Sequence, residues 1–233
     1  MVIKLNKSSA KKLHSQGALL REKDKHIEAL QILTLAIAKY QEEKNYRGMV
    51  DALKDRVLTL KHLALLTEDP SFKILAMKDA EAMLEITEKF DLEDKYHTAY
   101  FRLGEVSMIN GDFKKAVENY QKALATYVGP LSERGDYRYH LGEAIYKIGD
   151  TKKGKETILK GLKEIRKGAS EIDPFLIHVW ESGAHLRLAE LLSKDEPEEA
   201  EKHLKRAEEI AESDKKLFIR RRQIKKLKRI LAY

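Results

Sequence analysis

Along most of this chain a small residue stands twelve positions after another small residue, and few folds tolerate that interval. Gly17 is followed by Ala29, Ala64 by Ala76, Gly104 by Ala116 and Gly142 by Gly154. In three of these cases another small residue lies seven positions further on, at Ala36, Ala123 and Gly161, whereas Met83 stands there after Ala76. A fifth instance, Ala189, Ala200 and Ala207, is one residue shorter in its first step. Twelve residues span one helical turn, a tight corner and another turn, so the pattern describes two antiparallel helices with a small residue on each where their backbones cross. Only Gly or Ala fits such a contact in a closely packed interior. The clearest unit starts at His97: Leu103-Gly104, the turn Asn110-Gly111-Asp112, then Ala116, Tyr120 and Ala123, which are positions 7, 8, 20, 24 and 27 with His97 as position 1. Positions 8 and 20 are expected to meet each other, and position 27 to meet the following unit.

Proline placement tests this register, because proline is accepted in a helix only in its first turn. Pro70 and Pro197 fall between the two helices of units two and five, and Pro130 and Pro174 fall between units. The spacing predicts helices over 8–23, 25–43, 46–67, 71–90, 93–110, 112–128, 131–148, 151–168, 174–194 and 197–213, and a last one over 215–232.

The unit from His97 resembles the tetratricopeptide repeat, and the template slides onto four further units. The resemblance covers about residues 10 to 213. It implies an all-α, right-handed superhelical α-solenoid of antiparallel helix pairs with a C-terminal capping helix. The repeats are read at 8–43, 46–90, 93–128, 131–168 and 174–213, making one solenoid over 1–213, followed by a basic amphipathic helix over 214–233.

The rest of the composition narrows the chemistry. No Cys among 233 residues excludes disulfides and thiolate catalysis. Neither a secretory leader nor an eighteen-residue apolar run is present, so a cytoplasmic protein is expected. Eight His residues invite a metal search, but His178 with His185, and His97 with His140, do not give three ligands at short helical spacing. No phosphate-binding glycine loop and no nucleophile elbow occurs. The chain is expected to be non-catalytic and to need no cofactor or metal. Trp180 reads as a core or inter-repeat wedge.

The resemblance further implies that first-helix positions 2, 5, 6, 9, 12 and 13 line a concave groove. In repeats three and four these include Phe101, Arg102, Glu105 and Met108, then Tyr139, His140, Glu143 and Tyr146. Lys61 and His62 of repeat two and Arg187 and Glu190 of repeat five complete the set. Aromatic side chains beside Arg and Met are the composition of a protein interface, and Phe101, Tyr139 and Tyr146 are the expected anchors. His62, Arg102, His140 and Arg187 share position 6, and Glu105, Glu143 and Glu190 share position 9. Two readings of this ladder stand: the residues hold a peptide laid along the groove, or they pair with each other at a spacing of three. Family members that clamp a C-terminal carboxylate carry Lys at position 5 and Asn at position 9 of the first repeat. Here those positions hold His14 and Ala18, so that clamp is not implied.

Net charge is +7, but it is unevenly placed. Residues 1–14 carry four Lys and residues 215–233 carry nine Lys or Arg, with no acid in either, leaving 32 basic against 38 acidic residues between them. In the terminal helix Leu217, Ile224, Leu227 and Leu231 form one stripe, expected to dock near Leu204 and Ala207. Arg220, Arg221, Arg222, Lys225, Lys226, Lys228 and Arg229 fill the remainder as a basic surface, with Arg221, Lys225 and Lys228 expected on the solvent side. The leading expectation is a scaffold that binds a protein or peptide segment in the groove. The alternatives are nucleic-acid or anionic-surface binding through the basic helix, where Phe218 and Tyr233 are the only aromatic candidates for stacking, and a ligand-sensing regulatory domain.

Overall fold

In the computed structural model, which describes residues 8–231, the chain is helical throughout and divides into two compact units between residues 126 and 127. The expected N-terminal cations Lys4 and Lys7, and Tyr233, lie outside the described residues.

The first unit contains three helix pairs: α1 (Ala10–Glu22) with α2 (His26–Glu42), α3 (Tyr46–Thr67) with α4 (Pro70–Lys89), and α5 (Tyr96–Ile109) with α6 (Phe113–Ala125). Helix starts are set by short polar side chains: Ser9, Asn45, Asp69 and Asp112 each accept a first-turn backbone N–H, of Lys12, Gly48, Ser71 and Lys115. Each such cap contributes about 1 kcal/mol. The corner between α5 and α6 requires φ +78° at Gly111, which only a residue without Cβ adopts at no cost. A 3₁₀ turn over Glu93–Lys95 shortens α5 relative to the helix expected from 93. The core is a continuous row of Leu13, Ala36, Val50, Val57, Leu60, Ala76, Met83, Ala99 and Val106. Gly104, expected against Ala116, has the Tyr120 ring one turn further on as its nearest neighbour, for a Cβ there would lie 2.5 Å from that ring.

The second unit pairs α7 (Leu131–Lys147) with α8 (Thr151–Lys167) and α9 (Pro174–Leu192) with α10 (Pro197–Ser213), and ends in α11 (Phe218–Leu231). The α7–α8 contact is closed by glycine on both sides. A Cβ at Gly142 would sit 2.7 Å from the Ile158 nitrogen and 2.8 Å from the Gly154 carbonyl oxygen. Gly161, expected to face the next repeat, instead packs within its own pair, where a Cβ would lie 2.6 Å from the Gly135 carbonyl oxygen and 2.8 Å from the Tyr139 nitrogen. The reason is Gly135, one turn before Tyr139, which lets the two backbones stay close for the length of the pair. Trp180 is partly buried and packs on the core of Tyr139, Ile158, Leu162, Ile177, Leu188 and Leu192.

Helix α11 docks as its stripe predicts: Ile224, Leu227 and Leu231 join Leu186, Ala189, Leu204, Ala207 and Ala211, and Leu217 just before the helix is also buried. Burial of each such side chain contributes about 1.5 to 3 kcal/mol before the entropy of ordering the segment is subtracted.

Candidate functional site

The first-helix residues of each unit carry the candidate site. In the first unit α1, α3 and α5 are joined by buried or half-buried charge. His14 Nε2 lies 2.9 Å from Asp55 Oδ2, and Arg21 Nη1 donates to Asp55 Oδ1 at 2.6 Å. Burial pushes the Asp55 carboxyl up, but the His14 hydrogen bond and the Arg21 guanidinium outweigh it and hold the group below the usual carboxylate range. Across the next gap Lys61 and Arg102 both donate to Glu105. His62, enclosed beside Lys61 and edge-on to His26 at 5.0 Å, is held well below the usual imidazole range, first by burial and then by the Lys61 charge.

In the second unit Arg187 bridges two carboxylates, Glu143 at 3.2 Å and Glu190 at 2.8 Å. Glu143, with Glu190, raises the pKa of Arg187 above an ordinary arginine's. His140 lies 3.9 Å from Glu143 and 3.8 Å from Asp136. Apart from His62, whose buried Nδ1 has no hydrogen-bond partner, the basic-acidic ladder is thus paired within the chain. It goes beyond the expected i,i+3 pairs, because Lys61–Glu105 and Glu143–Arg187 tie successive first helices together.

Two of the expected anchors are corrected by burial. Phe101 is 4% exposed and tilts against Tyr120 with ring centroids 5.4 Å apart, and Tyr139 is 5% exposed, so neither offers a face to a ligand. Tyr146 is half-buried, and its hydroxyl donates to the Leu191 carbonyl at 3.1 Å. Met108 remains partly exposed. Sequence reasoning missed Leu65, which is 46% exposed and occupies position 9, where the next three repeats carry Glu. Leu65 and Met108 stand about one helical turn beyond Lys61 and Glu105 respectively, so the closed ion pair is followed on each helix by an apolar side chain that reaches solvent.

Three residues of the expected basic surface are structural instead. Arg220 donates to Ser182 Oγ at 3.1 Å and to the Val179 carbonyl at 3.1 Å, reaching α9 over Gly183, where a Cβ would lie 2.8 Å from its Nη2. Desolvation lowers its pKa to about 10. Arg221, expected in solvent, donates to the carbonyls of Ala211 at 2.7 Å, Asp214 at 3.0 Å and Lys215 at 2.7 Å, closing the end of α10. Lys228 pairs with Glu208 at 2.5 Å. Lys225, Lys226 and Arg229 are exposed as expected, and so is Arg222.

Another cluster escaped the sequence reading. His185 pairs with His203, eighteen residues away on α10, at 2.8 Å between Nδ1 atoms, while its Nε2 accepts from Arg166 at 2.9 Å. Among the described residues no group of three or more His, Cys, Asp or Glu is arranged to hold a metal, and no helix is long and apolar enough to cross a membrane.

The tetratricopeptide repeat family matches residues 97–127. Those residues are a tetratricopeptide repeat, and the chain has the TPR-like fold. A Rap protein, crystallised in complex with competence and sporulation factor, aligns over all of this chain and 66% of its own at 17% identity, with a TM-score of 0.63. A putative kinesin light chain with nearly identical TPR-like repeats, from Podosopora anserina, aligns over 88% of this chain and 96% of its own at 15% identity and a TM-score of 0.56. BtubC from P. vanneervenii covers 88% of this chain and 89% of its own at 18% identity, with a TM-score of 0.51. At such identities the likeness concerns the TPR-like fold. No curated protein matches the sequence.

Proposed function

We propose that this chain is a non-catalytic scaffold that binds a protein or peptide segment on the first-helix side of its first unit. The observation that carries the reading is the exposure of Leu65, at 46%, and the partial exposure of Met108, each about one turn beyond a member of the Lys61–Glu105 pair, in a row whose charged members already satisfy one another. A paired ladder holds the helices in place and offers few unsatisfied groups to a ligand. Exposed apolar side chains that lose water on contact are what a segment would bind, and a few such residues carry most of the affinity of an interface. The ladder then acts as a rigid frame that lowers the entropy cost of binding. By fold analogy, the Rap protein of similar architecture was crystallised with a bound factor.

Hydrogen exchange tests this directly. A segment selected from a displayed peptide library against the full chain is expected to protect amides at the C-terminal ends of α3 and α5. Protection confined to α7–α11, or none from any binding segment, overturns the assignment.

A further inference from the structure

Helix α11 docks through one face and leaves another to solvent, and the outward face has a composition of its own. At 100° per residue Phe218, Arg222, Lys225, Lys226, Arg229 and Ile230 fall within an arc of about 140°. That arc lies opposite buried Ile224 and is bordered on one edge by Arg221, whose guanidinium sits 5.2 Å over the Phe218 ring, and by Lys228, both engaged with α10. Phe218 is 54% exposed and Ile230 67% exposed. They stand near the two ends of the strip, about 18 Å apart along the axis. The cations lie between them, and residues 215–233 contain no acid. The nearby α10 acids Glu208 and Glu209 are neutralised by Lys228 and Arg206, so they do little to weaken the field of the strip.

We infer that this face lies against an anionic lipid bilayer, with the four cations among the headgroups and Phe218 and Ile230 entering the interface. The charge alone would suit any polyanion. The two apolar side chains decide between them, because a helix lying in the plane of a bilayer inserts such residues, whereas a phosphate backbone offers Ile230 no counterpart. The docked stripe keeps the helix in place, so binding requires no unfolding.

The test is co-sedimentation of the full chain with phosphatidylcholine vesicles and with vesicles containing phosphatidylserine. Each cation held near an anionic surface strengthens partitioning about fivefold. The protein is expected to sediment with the serine-containing vesicles only, and the K225E/K226E/R229E variant to bind at least about a hundredfold more weakly. The F218S/I230S variant should lose about tenfold or more. Both variants alter exposed positions and should keep the wild-type helicity and Tm. Failure of the wild type to bind the anionic vesicles overturns the proposal, as does undiminished binding by the charge variant. If F218S/I230S binds vesicles as well as wild type, or if the wild type binds RNA while ignoring vesicles, the choice of a bilayer is refuted.

Discussion

The His185–His203 pair makes the folded second unit sensitive to mild acid in a direction that can be worked out. Arg166 can only donate, so His185 Nε2 accepts and its proton sits on Nδ1, donating to His203 Nδ1 2.8 Å away. The remaining His203 proton is then on Nε2, which faces Glu199 Oε1 at 3.7 Å. Protonating His185 would put an N–H against the Arg166 guanidinium. Burial and the neighbouring His203, Arg166 and Arg206 charges lower its pKa from 6.5 to about 3. The unfolded chain therefore binds a proton near pH 6.5 that the folded chain refuses until about pH 3. Stability from this group is complete above pH 6.5 and is lost as pH falls through that window. At about 1.4 kcal/mol per pH unit, the loss by pH 5 is about 2 kcal/mol. Urea unfolding of wild type and His185→Gln at pH 7.5 and pH 5 measures it, since Gln can still accept from Arg166 and donate to His203. Wild type should lose about 2 kcal/mol more than the variant. Equal losses, or an NMR titration of the His185 ring with a midpoint near 6.5, would refute the reasoning.

Other perturbations separate packing from solvent. Gly142→Ala adds a Cβ against backbone atoms of α8 and should lower Tm even though the change usually gains about 1 kcal/mol of helix propensity; Gly142→Leu should cost about 3 kcal/mol or more. Arg221→Ala removes three hydrogen bonds to carbonyls and should destabilise by about 1 to 3 kcal/mol, whereas Lys225→Ala should change unfolding by less than about 0.5 kcal/mol. Asp55→Asn breaks the contact with Arg21 and should cost about 3 kcal/mol in urea unfolding at pH 7. Because the Asp55 pKa is depressed in the fold, its contribution fades only as pH falls below the ordinary carboxylate range, so wild type and variant should converge in strong acid.

Local spacing carried much of the fold. Gly104 and Gly142 stand against Tyr120 and Ile158, sixteen residues on in each case, because two helices and a short corner fix that distance along the chain. The stripe of Leu217, Ile224, Leu227 and Leu231 named the docking face of α11, since an apolar stripe has one destination. Cations at the edge of a stripe have several. Arg220, Arg221 and Lys225 look alike in sequence, and only the location of Gly183 and of the end of α10 assigns two of them to structure and one to solvent. The ladder was visible as residue types, but its partners lie 44 residues apart, at Lys61–Glu105 and Glu143–Arg187, and helical periodicity says nothing about offsets between repeats. Phe101 and Tyr139 were misplaced for a related reason: position 5 lies at the border of groove and core, and a large ring there turns inward. Leu65 had a signal, a large apolar residue at a position where the three following repeats carry Glu.

The scaffold reading rests most directly on the affinity of a selected segment for the wild-type chain and for the L65D/M108D variant, measured by calorimetry with unfolding followed in parallel. Truncating or charging a true anchor costs about 2 kcal/mol or more, which is about thirtyfold in Kd. The account predicts at least that loss with Tm unchanged, and an unaltered Kd would contradict it.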